Sequence, residues 1–240
     1  NNNHEVSVVN PSCINAFAKS KLSRHKTDKV DSMIIAEYAS KNDLLSYVPK
    51  SKAIKELQDL YRCSQNLKEQ YAQVQNYLEN KSHLSISVCS SYNRLAKHIT
   101  KEIKNIELEI DKLFVDNPQL RNQADKMQTI PGIGKTTTVA ILAESPDLES
   151  FNNARQLAAY AGLTPKHKTS GTSVKGKTSI SKIGSSSLRK ALYFPAIVAK
   201  THNPLFKEFA QKLSRKGKPA KVIIVAIMRK LLHIVFGVIK

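Results

Sequence analysis

Two runs of residues at alternating three- and four-residue steps constrain this chain more than any other feature. Leu57, Leu60, Ser64, Leu67, Tyr71, Val74 and Leu78 form the first, and Ile99, Ile103, Ile106, Ile110 and Leu113 the second. Only a helix gathers such steps into one stripe, and a heptad seam on each makes two helices partners. The serine-rich stretch 82–91 lies between them and can reverse the chain. The simplest structure for residues 49–117 is therefore an antiparallel helical hairpin, a coiled-coil arm that acts as a spacer or joins copies of the chain. Two helices enclose little core of their own, which favours pairing with another subunit.

The flanking regions differ in character. Residues 5–10 read as a strand carrying Val6, Val8 and Val9, followed by a turn at Asn10-Pro11. Two helices follow, over residues 12–19 and from about Thr27, the second turning Val30, Ile34 and Ile35 toward a core. Residues 1–48 thus look like the back end of an α/β domain, closed by Pro49. The chain begins at Asn1, close to that strand, so the expectation is an N-terminally truncated fragment. Residues 118–240 read as an α-rich domain, with helices over 136–144, 153–161, 185–200, 204–212 and 220–239. A Ser/Thr/Gly/Lys-rich loop or hairpin spans 164–184, and Pro195 should kink its helix or lie near an end. The predicted class is mainly α with a partial α/β piece at the N-terminus.

Charge is distributed unevenly. The net charge is +19, and residues 151–240 hold 18 Lys or Arg against one acid, Glu208. From Lys166 to Lys190 there are seven cations and no acid, so this stretch cannot pair with itself and needs an external polyanion. Apolar helix-like segments interleave with the cations, which excludes a disordered basic tail. A folded basic domain points to nucleic acid, with an anionic membrane surface as the competitor. Against a membrane, residues 220–239 are apolar on too many sides for an interfacial helix. Arg229 and Lys230 also divide them into runs too short to cross a bilayer. Cys13, Cys63 and Cys89 are too scattered for a zinc site and odd in number for a disulfide framework, which fits a reducing cytoplasm, and no signal peptide is visible.

Several motifs carry chemistry, each beside a plainer reading. Gly132-Ile133-Gly134-Lys135-Thr136 suggests a P-loop, but that motif needs glycine at position 129, which is Thr, and a preceding apolar strand, which is absent. A turn between two helices, as in helix-hairpin-helix modules, fits better. Its glycine amides and the following helix N-terminus could hold a DNA phosphate, or the glycines could serve the turn alone. Asp28 and Asp31, three apart, share one helix face and could hold a divalent cation, or act only as first-turn acids. Ser170, in a Ser-Gly pair among lysines, is either a nucleophile beside bound phosphate or a turn residue. Lys175, Lys177, Lys182 and Arg189 would by default clamp phosphate.

Taken in order, these motifs resemble one family, the insertion-sequence transposases of the IS-one-ten type with their DNA-inverting relatives of the Piv kind. The matching segments are Lys26-Thr27-Asp28-Lys29-Val30-Asp31, Pro131-Gly132-Ile133-Gly134, Tyr160-Ala161-Gly162-Leu163-Thr164-Pro165, Ser170-Gly171, Ile180-Ser181-Lys182-Ile183-Gly184 and Leu188-Arg189. The resemblance implies a RuvC-like (RNase H-like) domain with four acids, here represented by its C-terminal part, then a coiled coil and a C-terminal serine transposase domain. It implies that Asp28 and Asp31, with two further acids expected before residue 5, hold Mg2+ against the scissile phosphate. It implies that Ser170 attacks the phosphorus and holds one DNA end as an ester; the cations Lys168, Lys175, Lys177 and Arg189 are read from the residues as stabilising charge on that phosphate. DNA and a guide RNA are the implied partners, in a homo-oligomer in the prokaryotic cytoplasm at the nucleoid. With half of the acids absent, a fragment of this kind is expected to be inactive alone. The alternative function is a non-catalytic nucleic-acid-binding protein built on the helix-hairpin-helix-like domain.

Overall fold

The computed structural model describes residues 5–22, 27–79, 83–166, 169–170, 174–175 and 179–240. Two compact units divide the chain, Asn1–Pro49 and Lys50–Lys240. In the first, Asn10 caps α1 (Pro11–Ser20) by accepting the Ser12 N–H at 2.9 Å, with Pro11 pre-set for the first helical position. Thr27 caps α2 (Asp28–Lys41) through the Val30 N–H at 3.3 Å. Phe17 meets Tyr38 edge-on at 5.4 Å, and Lys21 and Lys41 both pair with Glu37. Of the three residues expected to face a core, Ile34 is buried, Val30 is half-buried and Ile35 is exposed. A single neighbouring helix covers only part of an apolar face. The expected strand at 5–10 is not formed. Val6 O accepts from Tyr47 N–H at 2.6 Å, but no ladder follows from that bond, and a strand needs a paired neighbour.

The arm is a hairpin of α3 (Lys52–Glu79) and α4 (Ile86–Asp116), the latter capped by Ser85. At its far end Val74, Leu78, Ala96 and Ile99 form a small core, with Tyr77 and Tyr92 stacked at 5.4 Å. At its near end Leu57 and Tyr61 of α3 join Ile110 and Leu113 of α4 within the main core of the C-terminal bundle. The scarcity of core in a lone two-helix hairpin is thus relieved within the chain: the near half of the arm packs on the bundle.

That bundle comprises α5 (Pro118–Gln128), α6 (Lys135–Glu144), a 3-10 turn at Leu148–Ser150, α7 (Ala154–Tyr160), α8 (Ser186–His202), α9 (Pro204–Arg215) and α10 (Ala220–Ile239). At its centre is α10, whose Ile227, Leu231, Leu232 and Val235 are fully buried. It is 20 residues long and holds an 18-residue stretch of mean hydropathy 2.3, enough by length and composition to cross a membrane, contrary to the expectation that Arg229 and Lys230 leave runs too short. Packing against α5, α7, α8 and α9 accounts for that apolarity, and Lys230 sets its ammonium over the Phe209 ring at 4.2 Å. Pro195 lies inside α8 and is buried. Between α7 and α8 the chain forms two short antiparallel ladders. In them β1 (Pro165–Lys166) pairs with β4 (Ser179–Ile180), and β2 (Thr169–Ser170) with β3 (Val174–Lys175).

Candidate functional site

Ser170 stands in the outer ladder, opposite Val174, with Thr169 opposite Lys175. The inner ladder pairs Pro165 with Ile180 and Lys166 with Ser179, so the two differ in register by one residue. Lys168 and Lys177 lie outside the described residues, as do the side chains of Ser170 and Lys175.

The root of this hairpin is held tightly. Ser181 N–H donates to Thr164 O at 2.8 Å, Lys182 N–H to Gly162 O at 3.2 Å and Ser185 N–H to Tyr160 O at 2.8 Å. Gly162 and Gly184 have φ of +68° and +132°, and the backbone here is crowded as well as left-handed. A Cβ on Gly184 would lie 2.2 Å from Tyr160 O, and one on Gly162 would lie 2.4 Å from Arg189 Nη1. Lys182, exposed, carries a φ of +57°, a conformation that costs a bulky residue about 1 kcal/mol. Arg189, expected on phosphate, donates from Nη1 to Ala161 O at 2.8 Å and Gly184 O at 3.3 Å. In this conformation that nitrogen ties the end of α7 to the start of α8.

The Pro131-Gly132-Ile133-Gly134 turn joins α5 to α6. Its two glycines differ. Gly132 has φ +100°, and its backbone lies so close to α8 that an added Cβ would meet Ala199 Cβ at 3.0 Å and Pro195 O at 3.3 Å. Gly134 has φ −96° and nothing within 4 Å of an added Cβ. It is the N-cap of α6 and supplies no side-chain acceptor, leaving the first-turn amides of α6 available to an anion. Lys135 is engaged with Asp111 of α4. An open groove of about 510 Å³ runs between this turn and α8, bounded by Gly132, Gly134, Thr137, Phe194, Pro195 and Val198.

Asp28 and Asp31 fall in the first turn of α2, Asp28 exposed and Asp31 half-buried. Thr27 does the capping, so neither carboxylate is needed as a cap. Among the described residues neither has an ion pair or a side-chain hydrogen bond. Two carboxylates at i, i+3 are hard oxygen donors suited to Mg2+, which commonly takes one or two carboxylates and completes its shell with water and substrate phosphate. Among the described residues no three His, Cys, Asp or Glu converge on a common point.

One cluster was absent from the sequence reading. Glu144 ends α6 with its side chain only 6% exposed and accepts from Arg62 Nε and Nη2 at 3.0 and 3.2 Å. Tyr160 Oη donates to Glu144 O at 3.1 Å, while Gln58 and Lys50 donate to Ala143 O. Arg62, Gln58 and Lys50 thus satisfy the C-terminal end of α6, and Tyr160 links it to the hairpin root. The signal in the sequence was an acid at a helix C-terminus, where the dipole disfavours it, so that it calls for a cation.

Comparison with known proteins places the chain in a family. A DEDD transposase family of IS110 type matches residues 1–86, and the transposase family IS116/IS110/IS902 matches residues 124–211. The pilin gene-inverting protein of Moraxella bovis is 39% identical over 238 residues, covering 99% of this chain and 73% of that protein. The chain belongs to the IS110 family of transposases. The pilin gene-inverting protein of Moraxella lacunata is similar to the same degree, 39% over 238 residues. The transposase of insertion element IS1328 from Yersinia enterocolitica is 23% identical over 79% of this chain and 62% of its own length. IS110-family members are transposases and site-specific recombinases, enzymes whose substrate is DNA. The first family match spans Asp28 and Asp31, and the second spans the glycine turn, Ser170 and Arg189.

Proposed function

We propose that this protein is the DNA-cutting and rejoining enzyme of an insertion sequence, with Ser170 as its nucleophile. One observation carries the reading. The Ser170 backbone is paired in a ladder whose root is braced by Tyr160, Gly162, Gly184 and Arg189, in a stretch with seven cations and no acid. The Ser170 hydroxyl attacks phosphorus, forming a Ser–O–P ester as one P–O bond of the strand breaks. The serine loses its proton and the departing hydroxyl gains one. Reversal by a hydroxyl from another strand rejoins the DNA without an external energy source, because the ester conserves the bond. Lys168, Lys175, Lys177 and Lys182 neutralise the phosphate, the amides behind Gly132 and Gly134 hold a neighbouring one beside Lys135, and Arg189 holds the hairpin. Asp28 and Asp31 serve the same reaction as ligands of Mg2+, which when bound offsets charge on the scissile phosphate.

We divide the labour as a RuvC-like piece over 1–48, an arm over 49–117 and a serine transposase domain over 118–240. Leu108 and Val115, 59% and 65% exposed on α4, support assembly of copies through the arm. The excess of charge beyond one duplex supports a guide RNA, and the free cysteines support a cytoplasmic, nucleoid-associated setting.

The test is a covalent protein–DNA adduct trapped from the full-length protein with Mg2+ and a DNA carrying its element's ends. The Ser170→Ala variant should form none, whereas Ser181→Ala should form it. An adduct that survives Ser170→Ala overturns the assignment. DNA binding that is salt-sensitive but indifferent to Ser170 and to Mg2+, with no adduct from the unaltered protein, supports the non-catalytic binding alternative.

A further inference from the structure

Phe194 is 73% exposed on the outer face of α8, and its ring is braced edge-on by Tyr193 at 5.8 Å. With Pro195 and Val198 it forms one wall of the open groove whose other wall is the glycine turn and Thr137. Single exposed apolar residues are ordinary, but this one lines a preformed groove. Gly132 packs directly on Ala199 and Pro195, which sets the distance between the walls. None of the groove-lining residues is charged, and residues 151–240, which supply the Phe194 wall, contain a single acid, Glu208.

We propose that this groove receives an unpaired base of the DNA substrate, stacked on the Phe194 ring. A nucleotide is an apolar flat face on an anionic chain, which suits an uncharged aromatic wall in a cationic surface. The same face of a second copy suits it less, because residues 151–240, which supply the Phe194 wall, hold 18 Lys or Arg against one acid. Paired DNA keeps its base faces covered, so the occupant is a base freed from the stack, and cutting and rejoining strands produces such bases. The inference rests on the reading of the C-terminal unit as the part that works on DNA.

The experiment uses the full-length protein and three probes of one sequence: paired DNA, DNA with a short unpaired bubble containing 2-aminopurine, and single-stranded RNA. The unaltered protein should change the 2-aminopurine fluorescence of the bubble on binding. Phe194→Ala should abolish that change and weaken bubble binding on the order of tenfold, leaving paired DNA and RNA unaffected, while Phe194→Trp should retain it. Bubble binding and fluorescence unchanged in Phe194→Ala overturn the proposal. So does a loss confined to RNA, or a shift in oligomeric mass with the fluorescence response kept. Failure of the unaltered protein to bind either DNA instead overturns the DNA reading beneath it.

Discussion

Four glycines of the candidate site divide into those the backbone requires and one it does not. Gly132, Gly162 and Gly184 combine positive φ with neighbours inside contact distance, whereas Gly134 has neither. Gly184→Ala must displace Tyr160 O and should cost about 3 kcal/mol or more, seen as a lower denaturant midpoint. Gly134→Ser should behave in the opposite way. Its extended backbone suits an N-cap, so the added hydroxyl should leave stability within about 0.5 kcal/mol or raise it. That hydroxyl would compete with phosphate for the α6 amides, so the same variant should bind DNA more weakly in a salt titration. At this scale the sequence marked both glycines of the turn. It could not rank them, because φ and the approach of α8 belong to the folded chain.

At the scale of elements, the informative join is between the arm and α6. Arg62 is 59% exposed while its partner Glu144 is 6% exposed, so the loss falls mainly on the buried carboxylate. Arg62→Ala should destabilise by about 1–2 kcal/mol after allowing for solvent at the arginine, measured by urea unfolding. Adding Glu144→Ala should cost less than the sum of the two single changes, because the pair acts as one unit. Tyr160 extends this join to the hairpin root, so amide exchange at Ser185 should quicken in Arg62→Ala more than exchange in the core of α10. The helices themselves were largely legible, since periodicity and caps such as Thr27, Ser85 and Ser185 are local. The strand expected at 5–10 was not, because pairing depends on a partner that local pattern does not contain.

For the whole molecule, a histidine in the central helix contributes to the response to acid. His233 of α10 has Nε2 buried with no partner among the described residues, and burial, then Arg229 and Arg155, hold its imidazole below the usual 6.5. The unfolded chain takes up a proton as pH falls through 6.5 while the folded protein stays neutral at this site. Stability is therefore lost below that pH until the folded imidazole itself titrates, and above it His233 contributes no pH dependence. The melting temperature should fall from about pH 7.5 to about pH 5.5, and His233→Leu should reduce that fall. Acid also adds charge to a chain already at +19, which acts in the same direction.

What the sequence determined by itself was whatever spacing and composition encode locally. The seams of α3 and α4, the basic half and the ordered motifs of the family were readable in that way, while the segment around Ser170 could be read only as a loop or a hairpin. Tertiary structure alone decided which of those residues meet. The near half of the arm seats on α6, Arg189 bonds carbonyls at the hairpin root, and α10 serves as a core helix despite a length that could span a bilayer. Each of these depends on contacts between segments far apart in the chain. Such contacts are chosen by the burial and hydrogen bonding of the whole fold, which no local window contains.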